Sequence, residues 1–204
     1  MSTYHHGDLS QAILTRAIEL IGEAGVEAVS LRQIARELGV SHAAPARHFA
    51  SKDQLLAAIV RKSYLELTRS LLDDPQRDRT DDPVHRLNAM AAGTIRWAMQ
   101  NRSKFSVMTN PDVSRFADDG LKTALADFVA LISDDLHAAQ ARGFRADITA
   151  ETFLLFAIGA ALGIATLVTD DLMGSVLGVP GPDADLSELA NMIVPVEQAM
   201  SAST

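Results

Sequence analysis

Within one short stretch the chain places His42, Arg47, His48 and Lys52, four side chains that donate hydrogen bonds and carry, or can acquire, positive charge. Such donors suit phosphate oxygens, and an arginine also reaches the O6 and N7 atoms of guanine in the major groove of DNA. Among them stand Ala43, Ala44 and Ala46, small residues that let a backbone approach a groove closely. The chemistry on offer is recognition rather than bond-making. No glycine-rich phosphate loop, HExxH or G-x-S-x-G pattern occurs, and the six His are scattered without partners at catalytic spacing, so no enzyme is expected. Asp134-Asp135 and Asp170-Asp171 are adjacent pairs, which diverge by about 100° on a helix and suit solvated ends better than a shared acid–base site. His5 and His6 are likewise neighbours with no carboxylate following at ligand spacing, so neither metal nor cofactor is expected.

The donors need a frame, and the sequence around them supplies one. Ser30 followed by Gln33 is a capping-box pattern that predicts a helix from Leu31, with Leu31, Ile34, Ala35 and Leu38 on one face. Gly39 stands where a left-handed residue ends a helix, Val40 supplies an apolar plug, and Ser41 caps a second helix expected over residues 42–49. A turn of about four residues between two such helices is the length a helix-turn-helix uses. Pro45 is expected in the first turn of the second helix, where it costs at most one hydrogen bond. Ser51 then caps a helix over residues 52–72, and Lys52 at its N-terminus sits where anions are already favoured. The candidate DNA-facing residues are therefore Ser30, Ser41, His42, Ala43, Ala44, Arg47, His48 and Lys52.

The segments SLRQIARELGV and GVSHAAPARHFASKDQL resemble the DNA-reading part of the TetR family of transcriptional regulators. Gly39, Val40, Ser41, His48, Phe49, Ser51, Lys52, Asp53 and Leu55 stand where the family pattern has them, and the likeness covers residues 8–60. Ala46 departs from it, since relatives usually carry an aromatic there that touches the DNA backbone. The resemblance implies an all-α protein with an N-terminal three-helix head containing the helix-turn-helix, joined to a larger helical body that binds an effector and dimerises. It also implies a double-stranded DNA operator and a small-molecule effector as partners, with residues 1–7 forming an arm beside the DNA. Repression relieved by the effector is the expected mode, and effector-dependent activation is the alternative.

Composition agrees with helices and with a divided charge. Hydrophobic residues make up 48% of the 204-residue chain but aromatic ones only 5%, so the core must come from Ala, Leu, Ile and Val. The net charge of −8 argues against DNA binding only if it is averaged. Residues 1–70 carry eight Lys and Arg against seven acids, which leaves ten basic against nineteen acidic residues in 71–204. A mildly basic end can meet phosphates while the acidic remainder turns away from them. The absence of Cys fits a reducing cytoplasm, and the polar residues 1–10 lack the apolar core of an export signal, so a cytoplasmic protein is expected.

Along the chain, the head and its connecting helix are expected over 1–72 and the body over 73–204. A first helix is predicted from an N-cap at Asp8 to Ala24, with Leu14, Ala17, Ile18 and Ile21 facing the core and Gly25 ending it. The charged, proline-bearing segment 73–83 breaks the connecting helix. A helix follows over 82–100, then an apolar turn at Phe105, Val107 and Met108, a helix over 116–141, and a strongly apolar run over 153–169. The run approaches the length of a membrane span, but it lies between Glu151 and Asp170 without flanking Lys or Arg. Burial on two sides, against its own core and a second subunit, is the expected reading. A last helix over 186–200 is interrupted near Pro195. The resemblance places the dimer interface on these last two helices, with Phe153, Gly159, Gly163, Leu167, Leu189 and Ile193 as candidates. Some relatives carry Trp and His where Ile158 and Leu162 stand, so a pocket chemistry built on them does not transfer. An apolar effector cavity is expected from Trp97, Met99, Phe105, Met108, Phe116, Phe128 and Phe156.

Overall fold

The computed structural model describes residues 6–79, 81–169 and 187–195, and among these every regular element is helical. The chain packs as two compact units, Met1–Tyr64 with Arg102–Ala124, and Leu65–Asn101 with Leu125–Thr204.

In the first unit, α1 (His6–Ala24) buries Ile13, Ala17, Leu20 and Ile21, while Leu14 and Ile18 are only partly covered. The core stripe is thus rotated slightly from the predicted face. The helix starts two residues before Asp8, which therefore lies in its first turn instead of capping it. Gly25, at φ 82°, turns the chain into a single 3-10 turn, Val26–Ala28, that leads Val29 into the core. Next come α2 (Leu31–Glu37) and α3 (Lys52–Leu72), whose Leu55, Leu56, Ile59 and Val60 are buried. The second portion of this unit opens with α6 (Arg102–Met108), where a turn was expected. Its Phe105, Val107 and Met108 are buried, and it passes α1 so closely that a Cβ on Gly22 would stand 2.7 Å from the Ser103 Oγ. The predicted helix over 116–141 is divided: α7 (Val113–Phe116) ends before Ala117, and α8 (Asp119–Ala141) starts anew. Asp118 makes the new start, its Oδ1 accepting the Leu121 N–H at 2.7 Å.

The second unit is built on α5 (Pro83–Gln100), capped by Asp82, whose side chain accepts the Val84 N–H. Leu87, Met90, Ala91, Thr94, Ile95 and Ala98 are all buried, as the spacing predicts. The short α4 (Pro75–Asp78) precedes it, capped by Asp74. Against α5 lie α9 (Ala150–Thr169) and α10 (Ser187–Ile193). Phe153 fills the centre of this core and meets Phe144 edge to face, with ring centroids 5.5 Å apart. Asn88 fastens α10, its Nδ2 donating to the Asn191 Oδ1 at 2.8 Å and to the Val194 carbonyl at 3.0 Å.

One buried charge departs from expectation. Asp134 is exposed, but its neighbour Asp135 is buried on α8, accepting from the Arg86 Nε at 2.7 Å and the Arg77 Nη2 at 3.4 Å. The adjacent acids do diverge around the helix, and one of them is a structural anion rather than a solvated end.

Candidate nucleic-acid interface

Local bonding explains how the first unit presents its donors. Ser30 is extended and its hydroxyl accepts the Gln33 N–H at 3.5 Å, which starts α2. The reciprocal arm of the capping box is absent, because the Gln33 amide donates to Glu37 instead. At the other end Gly39 takes φ 66°, which only glycine adopts without strain. Its N–H reaches the Arg36 carbonyl and the Val40 N–H reaches the Ala35 carbonyl, closing the helix.

The segment after the turn is not the regular helix expected over 42–49. Residues 42–44 form a turn and Pro45–Arg47 a 3-10 turn. The cause is Pro45. An α-helix would take a hydrogen bond from residue 45 back to the Ser41 carbonyl, and proline has no N–H to give. That carbonyl instead accepts the Ala44 N–H at 2.9 Å, and the tighter pattern continues with Arg47 to Ala44 and His48 to Pro45. Pro45 itself is buried, as is Phe49, so both anchor the segment from beneath. Ser41, His42, Ala43, Ala46 and Arg47 are left exposed on the outer side, with Ala44 and His48 partly covered. The Arg32 and Arg47 side chains make no hydrogen bond or ion pair among the described residues.

The frame is held by ion pairs across the helices. The Arg16 Nε of α1 donates to Glu37 of α2 at 2.7 Å, and its Nη1 to Glu19 and Glu23. Hydrogen bonds donated to Glu23, Glu37 and Glu19 push the guanidinium pKa up, and the bond from Arg16, with one from Gln33, holds the Glu37 carboxyl below its ordinary value. Ser51 caps α3 by accepting the Gln54 N–H at 3.1 Å, and Gln54 reaches back to the Ala50 N–H at 2.9 Å. Lys52, the first residue of α3, donates to the carbonyl and carboxylate of Glu27, both at 3.3 Å. Ser30 is exposed and Lys52 partly covered, and all eight candidates belong to the first unit.

The family model described as bacterial regulatory proteins, tetR family, matches residues 13–59, which span α1, α2, the 3-10 segment and the start of α3. Over this segment the chain matches the TetR family. The HTH-type transcriptional repressor Rv3405c of Mycobacterium tuberculosis is 33% identical over 88 residues, 43% of this chain and 47% of that protein. The chain thus spans about half the length of the curated relatives it matches. A solved protein of unknown function from Rhodococcus sp. RHA1 is similar over 99% of this chain and 97% of its own, at 29% identity and a TM-score of 0.75. AibR, solved in complex with isovaleryl coenzyme A and operator DNA, shares the fold at 20% identity over 91% of this chain and 95% of its own, with a TM-score of 0.66.

The residues expected in an effector cavity do not come together. The second unit holds an apolar cavity of about 40 Å³, lined among others by Leu87, Met90, Thr94, Phe128, Phe153 and Leu162. Of the seven candidates only Phe128 lines it. Trp97 and Met99 are buried elsewhere on α5, Phe105, Met108 and Phe116 are buried in the first unit, and Phe156 is 56% exposed. Helical period rather than residue type decides this, since Leu87, Met90, Ala91 and Thr94 occupy the cavity side of α5.

The proposed dimer residues separate in the same way. Phe153 and Ile193 are spent in the core of their own unit, whereas Gly159, Gly163 and Leu167 are exposed on α9. Leu189 is in α10, but its side chain lies outside the described residues. His5 lies outside them too.

Proposed function

We propose that this protein is a DNA-binding transcriptional regulator that acts as a homodimer, a repressor released from a near-palindromic operator by a small, largely apolar effector. The observation that carries the reading is the exposed row Ser41, His42, Ala43, Ala46 and Arg47, raised on a capped helix-turn frame with the Arg47 side chain unpaired among the described residues. In this reading Arg47 contacts a base edge and Lys52 a phosphate. Ser30, Ser41, His42 and His48 add donors to the backbone, while Ala43 and Ala44 permit close seating.

The dimer rests on α9. Its buried side carries Phe153, Ala157, Ala161 and Ala165, and its opposite side exposes Leu155, Phe156, Gly159, Gly163 and Leu167. By length and composition Ala150–Leu167 is apolar enough to cross a membrane. A helix with one side spent on its own core is better covered by its copy, and the open glycines allow two such helices to approach closely. A two-fold axis would place two recognition segments in successive major grooves about one helical turn apart. The division of labour is head and connecting helix over 1–72, effector binding and dimerisation over 73–204, in the cytoplasm.

For the effector, AibR was solved with isovaleryl coenzyme A, a short branched acyl group on a charged carrier. The cavity here favours the acyl kind of chemistry alone. Its one hydroxyl, on Thr94, already donates to the Met90 carbonyl at 2.8 Å. Release follows if the effector prefers a body conformation that no longer fits DNA, because only differential affinity shifts the equilibrium. The test is retention of a random duplex pool by the purified protein. A two-fold symmetric consensus, eluted by apolar compounds that also raise the melting temperature, supports the reading. No enrichment at low salt contradicts it.

A further inference from the structure

Lys52 does not wait for phosphate with its ammonium free. Glu27, in the 3-10 turn between α1 and α2, accepts from it through both its carbonyl and its carboxylate, each at 3.3 Å. The Glu27 side chain is 92% exposed, so burial neither requires nor protects this pair. Nor is Glu27 alone. A polar basin of about 410 Å³ in the first unit is lined by Lys52 and Arg115 and by three carboxylates, Glu27, Asp53 and Asp112. Arg115 is already paired with Asp112 at 2.9 Å, so the cations are outnumbered and the basin as a whole carries net negative charge.

A carboxylate and a phosphate oxygen offer an ammonium the same charge-assisted hydrogen bond. For Lys52 to hold a phosphate, the Glu27 carboxylate must move away or remain beside it, and in the second case two anions face each other. The exposed pair itself is weak, so the exchange is open to the duplex and its cost falls with added salt. We propose that Glu27 sets the DNA affinity of this head, its carboxylate occupying on Lys52 the place a phosphate takes. Glu27 is thus an affinity-determining residue that touches no base, and it acts alike on all sequences. This rests on the DNA-binding reading of the same site.

The experiment is a four-protein cycle of wild type, Glu27→Gln, Lys52→Ala and the double variant, titrated against a selected duplex and a random one. Both substitutions are at the surface, and circular dichroism checks that folding is kept. Glu27→Gln should tighten binding to both duplexes by about three- to tenfold at roughly 50 mM salt, and by less at roughly 200 mM. In the Lys52→Ala background the gain should largely vanish, because no ammonium is left to release. Unchanged or weakened binding by Glu27→Gln overturns the proposal, the latter by making Glu27 a support for Lys52. An equal gain with and without Lys52 also overturns it, since that is only the loss of one negative charge from the surface. If wild type and all variants fail to bind any duplex at low salt, the DNA-binding reading itself fails and carries this proposal down with it.

Discussion

Replacing Asp135 with Ala removes the one carboxylate that two arginines share. Asp135 is 7% exposed at its side chain, while Arg86 and Arg77 are 22% and 20% exposed. Breaking a fully buried pair from one side costs about 3–5 kcal/mol, chiefly by stranding the partner charge. The arginines here keep about a fifth of their surface in water, so part of that cost is recovered by solvation. Their excess charge grows, however, and the Arg77 Nε already lacks a partner among the described residues. The balance is a loss of about 2–4 kcal/mol, which for a chain of this size lowers the melting temperature by roughly 10 °C. Urea denaturation followed by circular dichroism reads it, with Asp134→Ala as the comparison. Asp134 is next in sequence but exposed, and its loss should stay within about 0.5 kcal/mol. If Asp135→Ala costs no more than Asp134→Ala, the three-residue cluster does not hold α4, α5 and α8 together and the reasoning fails.

Other expectations follow from the same geometry. Arg47→Ala should weaken binding to the selected duplex by about 1–3 kcal/mol with little effect on random DNA, whereas Lys52→Ala should weaken both and reduce the salt slope by about one; equal behaviour of the two variants on both duplexes would show the roles to be wrongly divided. Leu155→Glu, at a residue 79% exposed on α9, should leave the fold intact and shift sedimentation from dimer to monomer, and an unchanged dimer would move the interface off this face. The Glu37 carboxyl is held below its ordinary value by Arg16 and Gln33, so the stability it adds is complete above about pH 4.5 and is lost as the pH falls through the lowered value. Melting temperatures of wild type and Glu37→Gln should therefore converge on acidification; a constant gap down to about pH 2 would remove Glu37 from the account.

How much of this could be read beforehand depended on how local the cause was. Ser30, Gln33 and Gly39 act through bonds within a few residues, and α2 begins and ends where they put it. The limits of α3 were legible for the same reason, through Ser51 at its start and the charged segment after Leu72. Pro45 was visible too, but its consequence was placed one turn too early: it is the fourth residue after Ser41, and the bond it removes is the one that would have made the segment α-helical. The burial of Asp135 could not be read from its neighbourhood, because its partners lie 49 and 58 residues away. Residue type alone also misplaced the cavity. Aromatics were the natural candidates, yet Phe156 faces out while the small and aliphatic residues one helical period apart on α5 face in. Composition says how much apolar material there is, and only packing says which side of each helix spends it.

The central claim, that the segment 41–48 reads DNA as one half of a symmetric pair, is met most directly by methylation-interference footprinting of a duplex selected with the purified protein. The account predicts two protected half-sites about ten base pairs apart, with interference at a guanine N7 in each that disappears for Arg47→Ala. A single protected site, or a pattern that Arg47→Ala leaves unchanged, would contradict it.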